Sequence, residues 1–321
     1  MEPQQYWTHE GFLEGMGREA AGFAVDESWE LEHWAFVEDL RLCDPYFFYS
    51  VGNQTLRLLN DGRPLEALRS LVIDSALLDD SAVEIITRPD SYLSRLMKLW
   101  VRWSEVTDEG VRMLCEPDAM PILNDLNLRQ NWLSGESLRL LLGRGTGLCH
   151  LVRLCVAQNY LGPAATEFLR HEDSALVNLE ALNLGFCGLN HRALMDLAHG
   201  DRALPSLHRI GLAGNQISDE DLACFAASGT PLVKRITHLD VSDSPRVSDE
   251  MFDLLEGPGQ NLTAITRLSL RRNDLTDHVL RRMLFPDMFP ALRVLDLRGT
   301  QVRESSLGEL NRHRPRLRVM L

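Results

Sequence analysis

A spaced pattern of aliphatic residues recurs along almost the whole of the 321-residue chain. Its form is LxxLxLxxNxL, which is clearest where Leu123, Leu126, Leu128, Asn131 and Leu133 follow one another. Ten copies begin at residues 37, 68, 96, 123, 151, 179, 207, 236, 265 and 292, and they lie 27 to 31 residues apart. A truncated eleventh copy occupies 317–321. Such a fixed period indicates units that bury their apolar faces only by stacking on their neighbours.

Each copy predicts one short strand followed by one helix. The alternation within LxL is the period-2 signature of a strand. A hydroxyl residue followed by acidic residues then predicts a helix N-terminus, because the hydroxyl oxygen accepts a free backbone N–H and the acids favour the helix dipole. The predicted N-caps are Thr107, Ser218, Ser248 and Thr276. Pro163, which follows Gly162, predicts another helix start.

The pattern resembles the leucine-rich-repeat family, and the spacing near 28 resembles its ribonuclease-inhibitor-like class. The resemblance covers roughly 36–321, which is expected to be a domain of about ten repeats plus a truncated final one. It implies an α/β solenoid, a horseshoe with a parallel β-sheet on its concave face and helices on its convex face. The asparagine position is expected to form a buried hydrogen-bonding ladder. Its members are Asn131, Asn159, Asn215 and Asn273, with Cys187, Ser244 and Thr300 in the other repeats.

Residues 1–35 do not fit the repeat and are rich in aromatic side chains, among them Trp7 and Trp29. We predict that they cap the apolar end of the repeats, as terminal segments of solenoids do. The alternative is a segment that binds a partner. At the other end, Arg312, Arg314, Arg316 and Arg318 are expected to discourage pairing of the last strand. We therefore expect a monomer, with a dimer through that strand as the alternative.

Charge and cysteine usage narrow the function. A net charge of −13 argues against binding to nucleic acid or to an anionic membrane. The six cysteines form no CxxC pair, so neither a zinc site nor a disulfide framework is expected. No signal-peptide pattern or apolar stretch of membrane-spanning length is present, which favours a cytoplasmic protein. We expect no metal and no cofactor.

Two groups of variable strand residues are candidate binding sites on the concave face. We call the first the aromatic–basic patch: Lys98, Trp100, Arg102, Trp103, Arg129 and Arg153. Exposed Trp and Arg are the side chains enriched at interface hot spots. The second, the arginine strip, comprises Arg267, Arg271, Arg272 and Arg298, close to Asp240 and Asp296. The alternatives are that Trp100 stacks on Arg102 only to cover the sheet, and that the strip's arginines and aspartates neutralise one another.

No phosphate-binding loop, nucleophile elbow or HExxH helix occurs in the sequence. Cys149 and His150 are adjacent, but a catalytic pair needs spatial orientation and a third group. The sequence therefore predicts a non-enzymatic module, a scaffold, adaptor or protein inhibitor, that binds a protein or an acidic peptide. One alternative is a regulator of an enzyme such as a nuclease or a small GTPase. The other is an enzyme with an unrecognised site, for which Cys155 is the candidate thiol.

Overall fold

The computed structural model describes residues 38–43, 52–61, 65–74, 78–170, 176–255 and 261–321. The chain forms two compact units. The first comprises the described residues of Met1–Leu133 and Gly145–Cys155, and the second comprises those of Ser134–Arg144 and Val156–Leu321. The predicted cap at 1–35 lies outside the described residues, so the boundary between cap and repeats stays a prediction.

The first unit contains five parallel strands in chain order. They are β1 (Asp39–Cys43), β2 (Ser70–Asp74), β3 (Lys98–Arg102), β4 (Asp125–Asn127) and β5 (Arg153–Cys155). Its described helices are α1 (Asn53–Asp61), α2 (Asp80–Thr87) and α3 (Asp108–Leu114), with a 3₁₀ helix at Tyr92–Arg95.

The second unit contains six parallel strands, again in chain order. They are β6 (Ala181–Asn183), β7 (Arg209–Gly211), β8 (His238–Asp240), β9 (Arg267–Ser269), β10 (Val294–Asp296) and β11 (Arg318–Met320). Its described helices are α4 (Gly135–Leu142), α5 (His191–Ala198), α6 (Asp219–Ala227), α7 (Pro231–Arg235), α8 (Glu250–Leu254), α9 (His278–Arg282) and α10 (Leu307–His313), with 3₁₀ helices at Glu167–Arg170 and Glu304–Ser306.

One parallel strand and one helical segment alternate through both units, which makes the fold an α/β leucine-rich-repeat solenoid, as the pattern predicts. The register pairs equivalent repeat positions: Leu71 lies opposite Leu99, and Leu239 lies opposite Leu268. These central leucines are at most 4% exposed and lie on the core side of their strands. The alternate strand positions therefore face away from the core, and we call the surface they form the strand face.

The predicted asparagine ladder is confirmed within each unit. In the second, Asn215 Oδ1 accepts from the backbone N–H groups of Cys187 (3.1 Å) and Leu189 (3.0 Å). Its Nδ2 donates to the carbonyl oxygens of Leu184 (2.9 Å) and Leu212 (2.8 Å). In the first unit, Asn131 Oδ1 accepts from Val106 N (3.1 Å), and its Nδ2 donates to a carbonyl of the preceding repeat. Asn131, Asn215 and Asn273 thus each join two successive repeats through buried backbone groups.

The helix starts agree with the predicted caps, with two shifts. Thr107 and Ser218 are N-caps, and Ser218 forms a reciprocal capping box with Asp221. Helices α8 and α9 begin later than predicted, at Glu250 and His278, but the hydroxyls of Ser248 and Thr276 still accept the N–H groups of those two residues. The hydroxyl therefore caps the first turn wherever the regular helix begins.

Two sequence predictions are wrong. No α-helix begins at Pro163: Gly162 has φ +81°, and i→i+3 hydrogen bonds lead into the 3₁₀ helix at Glu167–Arg170 instead. In the last repeat, Arg314 does not guard the strand edge. Its guanidinium turns inward and donates to the carbonyls of Met288 (2.9 Å) and Phe289 (2.7 Å). The resulting burial lowers the pKa of Arg314.

Candidate partner-binding surface

Strand β3 supplies the centre of the aromatic–basic patch, and its alternation decides which side chains reach the strand face. Leu99 and Val101 are buried, whereas Lys98, Trp100 and Arg102 are half-buried. This is the period-2 pattern expected of a strand with one covered face. Three of the six predicted patch residues therefore share one strand and one face.

Trp100 contacts two cationic side chains of its own strand and a carboxylate of the next strand. Lys98 Nζ lies 4.0 Å from the ring centroid and Arg102 Cζ lies 4.8 Å from it. Both distances are within the range of cation–π attraction. The indole Nε1–H donates to Asp125 Oδ1 on the neighbouring strand at 3.0 Å. The predicted stacking on Arg102 is thus present, and the polar atom of the indole is already satisfied.

Two carboxylates on the strand face neutralise part of the patch. Arg102 makes a bidentate pair with Asp74 of β2. Arg153 Nε donates to Asp125 Oδ2 at 2.9 Å, so Asp125 bridges Trp100 and Arg153. With Lys98 and Arg129, four cations then stand against two carboxylates, which leaves these residues with a net charge of +2. The patch is positive, but less so than its arginines alone indicate.

Trp103 extends the patch beyond the end of β3. Its backbone N–H donates to the carbonyl of Arg129 at 3.1 Å, which joins the two predicted residues at adjacent strand ends. Its side chain is 43% exposed, and its φ of +60° lies in the left-handed region. An L-residue with a large side chain is costly there. The first unit thus brings all six predicted patch residues onto neighbouring strands β3, β4 and β5 or just past their ends.

The arginine strip divides into engaged and open side chains. Arg298 forms a bidentate pair with Asp296, whose pKa is lowered by Arg298 against the opposing effect of burial. Arg272 lies 3.5 Å from Asp243, and Arg271 Nε is buried without a hydrogen-bond partner in the described part of the chain. Arg267 is exposed. The predicted mutual neutralisation therefore describes Arg298, but not Arg267.

Sequence reasoning did not single out two residues that lie beside Arg267. Arg209 on β7 is exposed, and His238 on β8 is half-buried at the equivalent register position. Both occupy the first variable position of their repeats, as Arg267 does, so a comparison along that position would have found them. It also did not select the exposed aromatic residues Trp132 (65% exposed) and Tyr160 (80% exposed).

Three further features of the described residues concern metal binding, membrane crossing and thiol reactivity. Within 38–43, 52–61, 65–74, 78–170, 176–255 and 261–321, no three His, Cys, Asp or Glu side chains lie where they could hold a metal ion. The same residues include no helix with the length and apolar character to cross a membrane. Burial raises the pKa of the Cys115 thiol to about 11, which disfavours a reactive thiolate. The cytoplasmic location stays a prediction.

Comparison with known proteins gives similarity at the level of fold. No family model matches the chain. Internalin C2 from Listeria monocytogenes is 18% identical over 72% of this chain and 80% of that one, with a TM-score of 0.42. An internalin, InlF, from the same species is 16% identical over 96% of this chain and 94% of that one, with a TM-score of 0.41. At these identities, neither structure indicates what this chain binds.

Proposed function

We propose that this protein is a protein–protein interaction module, a scaffold, adaptor or protein inhibitor, that binds a protein or peptide on its strand face. The observation that carries the proposal is the environment of Trp100. Its ring contacts both Lys98 and Arg102 and its N–H is bonded, yet the side chain stays half-exposed. A rigid aromatic side chain loses little conformational entropy when a partner covers it, which favours binding.

The charge of the patch favours an acidic partner. The patch contains four cationic residues, and the pairs with Asp74 and Asp125 offset two of these charges, which leaves a net charge of +2. It stands out in a chain whose net charge is −13. Complementary charge accelerates encounter and excludes partners of the same sign. We therefore propose that Trp100 and Trp103 supply the contact area and that Arg129 and Lys98 select acidic segments.

The arginine strip is proposed as a second contact region on the same kind of surface. Arg267 and Arg271 are its candidate contacts, and Arg298 contributes only if a ligand displaces Asp296. We also propose that the repeats belong to the ribonuclease-inhibitor-like class. The separation of 28 residues between the paired residues Asp125 and Arg153 supports this assignment, as does the α-helix that follows many of the strands.

Capture of partners from the native cell extract tests the proposal. The full chain is compared with Trp103→Ala and with Arg129→Glu, because these substitutions spare the Trp100 contacts that also stabilise the sheet. We expect proteins with acidic segments to be retained by the wild type and to bind each variant at least about tenfold more weakly, as at interface hot spots. The fold of each variant is verified by circular dichroism.

Phe285→Ala is the matched control. Phe285 is 53% exposed and lies beside Arg282, so it resembles Trp103 in type and exposure but follows helix α9 rather than a strand. Its substitution should leave capture unchanged. If the patch variants retain the same proteins with the same affinity as the wild type, the proposed binding surface is wrong. If Phe285→Ala weakens capture as much, the effect does not belong to the strand face.

A further inference from the structure

Two arginines and a histidine stand side by side on the strand face of the second unit. Arg209 on β7 lies opposite His238 on β8, which in turn lies opposite Arg267 on β9. Because neighbouring strands are about 4.8 Å apart, the two arginines flank the histidine closely. On the two strands that flank these residues, β6 and β10, the equivalent positions hold the uncharged residues Ala181 and Val294. We call these three residues the Arg–His–Arg row.

Neither arginine of the row is engaged with a carboxylate. Arg209 and Arg267 are exposed and form no ion pair in the part of the chain that the structure describes, in contrast to Arg298, which holds Asp296. The nearest carboxylate on the same strand is that of Asp240, two residues beyond His238. Its Oδ1 already accepts from the N–H and the hydroxyl of Ser242. The positive charge of the row is therefore available to a ligand.

The proton on His238 is positioned by its neighbour Thr237. The Thr237 hydroxyl lies 3.2 Å from the carbonyl of His208, to which it donates, and 2.9 Å from His238 Nδ1. A hydroxyl that donates its only proton to a carbonyl accepts from Nδ1–H. The neutral imidazole then presents the lone pair of Nε2 on its other side, whereas a protonated imidazole presents an N–H donor there.

We propose that the Arg–His–Arg row binds a phosphate monoester dianion carried by a phosphorylated side chain of a peptide or protein. Two guanidinium groups and one imidazolium match the three peripheral oxygens of a phosphate, whereas a carboxylate offers only two. The row lies on an exposed strand face rather than in an enclosed cavity. A free ion there gains only its charge contacts, while a peptide adds contacts with the neighbouring strand β6, where Ala181 and Asn183 are uncharged.

Binding at this row takes up a proton. Burial, followed by the charges of Arg209, Arg267 and His208, lowers the pKa of His238, so the free protein holds this imidazole neutral near pH 7. A bound dianion favours the protonated imidazole and raises the pKa. Affinity therefore increases as the pH falls from about 8 toward 6.5, and declines below about 6 as the phosphate itself takes up a proton.

The test uses the full chain and three probes: a short glycine-flanked phosphoserine peptide, its unphosphorylated form, and inorganic phosphate. Calorimetry in buffers of different ionisation enthalpy measures affinity and proton uptake together. We expect the phosphopeptide to bind at least tenfold more tightly than either other probe, with proton uptake at pH 7. Arg209→Gln and Arg267→Gln should each weaken its binding about tenfold. His238→Gln should remove the proton uptake.

Arg318→Gln is the matched control, because this exposed arginine occupies the same register position on β11, two strands away from Arg267. It should leave phosphopeptide affinity within twofold. Equal binding of the unphosphorylated peptide, or no binding of the phosphopeptide, overturns the proposal. Inorganic phosphate that binds as tightly as the phosphopeptide overturns the assignment to a phosphorylated side chain. These outcomes are independent of Trp103 and Arg129, so they are distinguishable from failure of the aromatic–basic patch.

Discussion

The residue before each ladder position carries an unusual backbone conformation. It has a positive φ in eight repeats: Trp103, Gln130, Gln158, Phe186, Gly214, Asp243, Arg272 and Gly299. Glycine adopts this region without strain, whereas other L-residues pay about 1–2 kcal/mol. The turn of the repeat therefore imposes this conformation on glycine and other residues alike, and a tryptophan at this position bears its cost.

Substitutions at Trp103 should separate the backbone strain from the side chain. We expect Trp103→Gly to have a larger free energy of unfolding than Trp103→Ala, by about 1 kcal/mol, because only glycine relaxes the left-handed backbone at φ +60°. Urea denaturation of the two variants measures this difference directly. Both variants lose the same indole, so its packing contributes little to the comparison.

Trp132 provides the control for this order. It is 65% exposed, lies in the same unit, and is absent from the residues with positive φ. There the usual order should hold, with Trp132→Ala more stable than Trp132→Gly by about 0.5–1 kcal/mol. The same order at Trp103 as at Trp132 would show that the turn does not impose the left-handed conformation.

At the scale of the elements, the ladder asparagines join each repeat to the next. Asn215→Ala leaves four buried backbone groups without their partner: the N–H groups of Cys187 and Leu189 and the carbonyls of Leu184 and Leu212. We expect it to lower the free energy of unfolding by about 3–4 kcal/mol. Asn190→Ala removes only the N-cap of α5, which should cost about 1 kcal/mol. Thermal and urea unfolding of both variants measure the contrast, and equal losses would contradict a special role for the ladder.

Aspartates near the helix starts join neighbouring repeats and should make stability depend on pH. Asp277 accepts from Arg303 N (2.8 Å), from the Arg303 guanidinium and from Ser306 Oγ (2.8 Å), and these bonds lower its pKa to about 2. The lowered pKa stabilises the folded state above the unfolded value near 4, and this contribution is lost as the pH falls from about 4 to 2. Asp277→Asn should therefore lose less stability than the wild type between about pH 5 and 2.5, as measured by the urea midpoint.

Asp219 makes a similar contact with Ser248, but burial raises its pKa. A raised pKa stabilises the folded state at low pH, and that contribution disappears as the pH rises through the folded value. Asp219→Asn should therefore lose more stability than the wild type on acidification, the opposite of Asp277→Asn. Shifts of the same sign in the two variants would show that these carboxylates do not control the acid response.

The sequence was sufficient to predict the strands, because the LxL alternation and the spacing of the copies both depend on burial. It was less informative about the helical side near Pro163, where a 3₁₀ helix satisfies the same caps and spacing as an α-helix. The neutralising pairs could have been predicted: Asp74 lies opposite Arg102, and Asp125 lies opposite Arg153, at equivalent repeat positions. The inward turn of Arg314 could not be predicted from the sequence, because it depends on the positions of carbonyl groups in another repeat.

At the scale of the whole molecule, stability in a stacked array depends on neighbours, so a missing cap should affect the nearest repeats most. The sequence predicts that residues 1–35 are such a cap. We expect their removal to lower the protection of amide hydrogens in β1 and β2, at Asp39–Cys43 and Ser70–Asp74, and to leave β10 unchanged. Hydrogen exchange followed by mass spectrometry resolves the three segments. Trp29→Ser in the full chain should give a weaker loss in the same two strands, because it removes one aromatic side chain and leaves the rest of the segment. Unchanged protection in β1 and β2 after removal of 1–35 would instead favour the alternative, in which the segment binds a partner and does not stabilise the repeats.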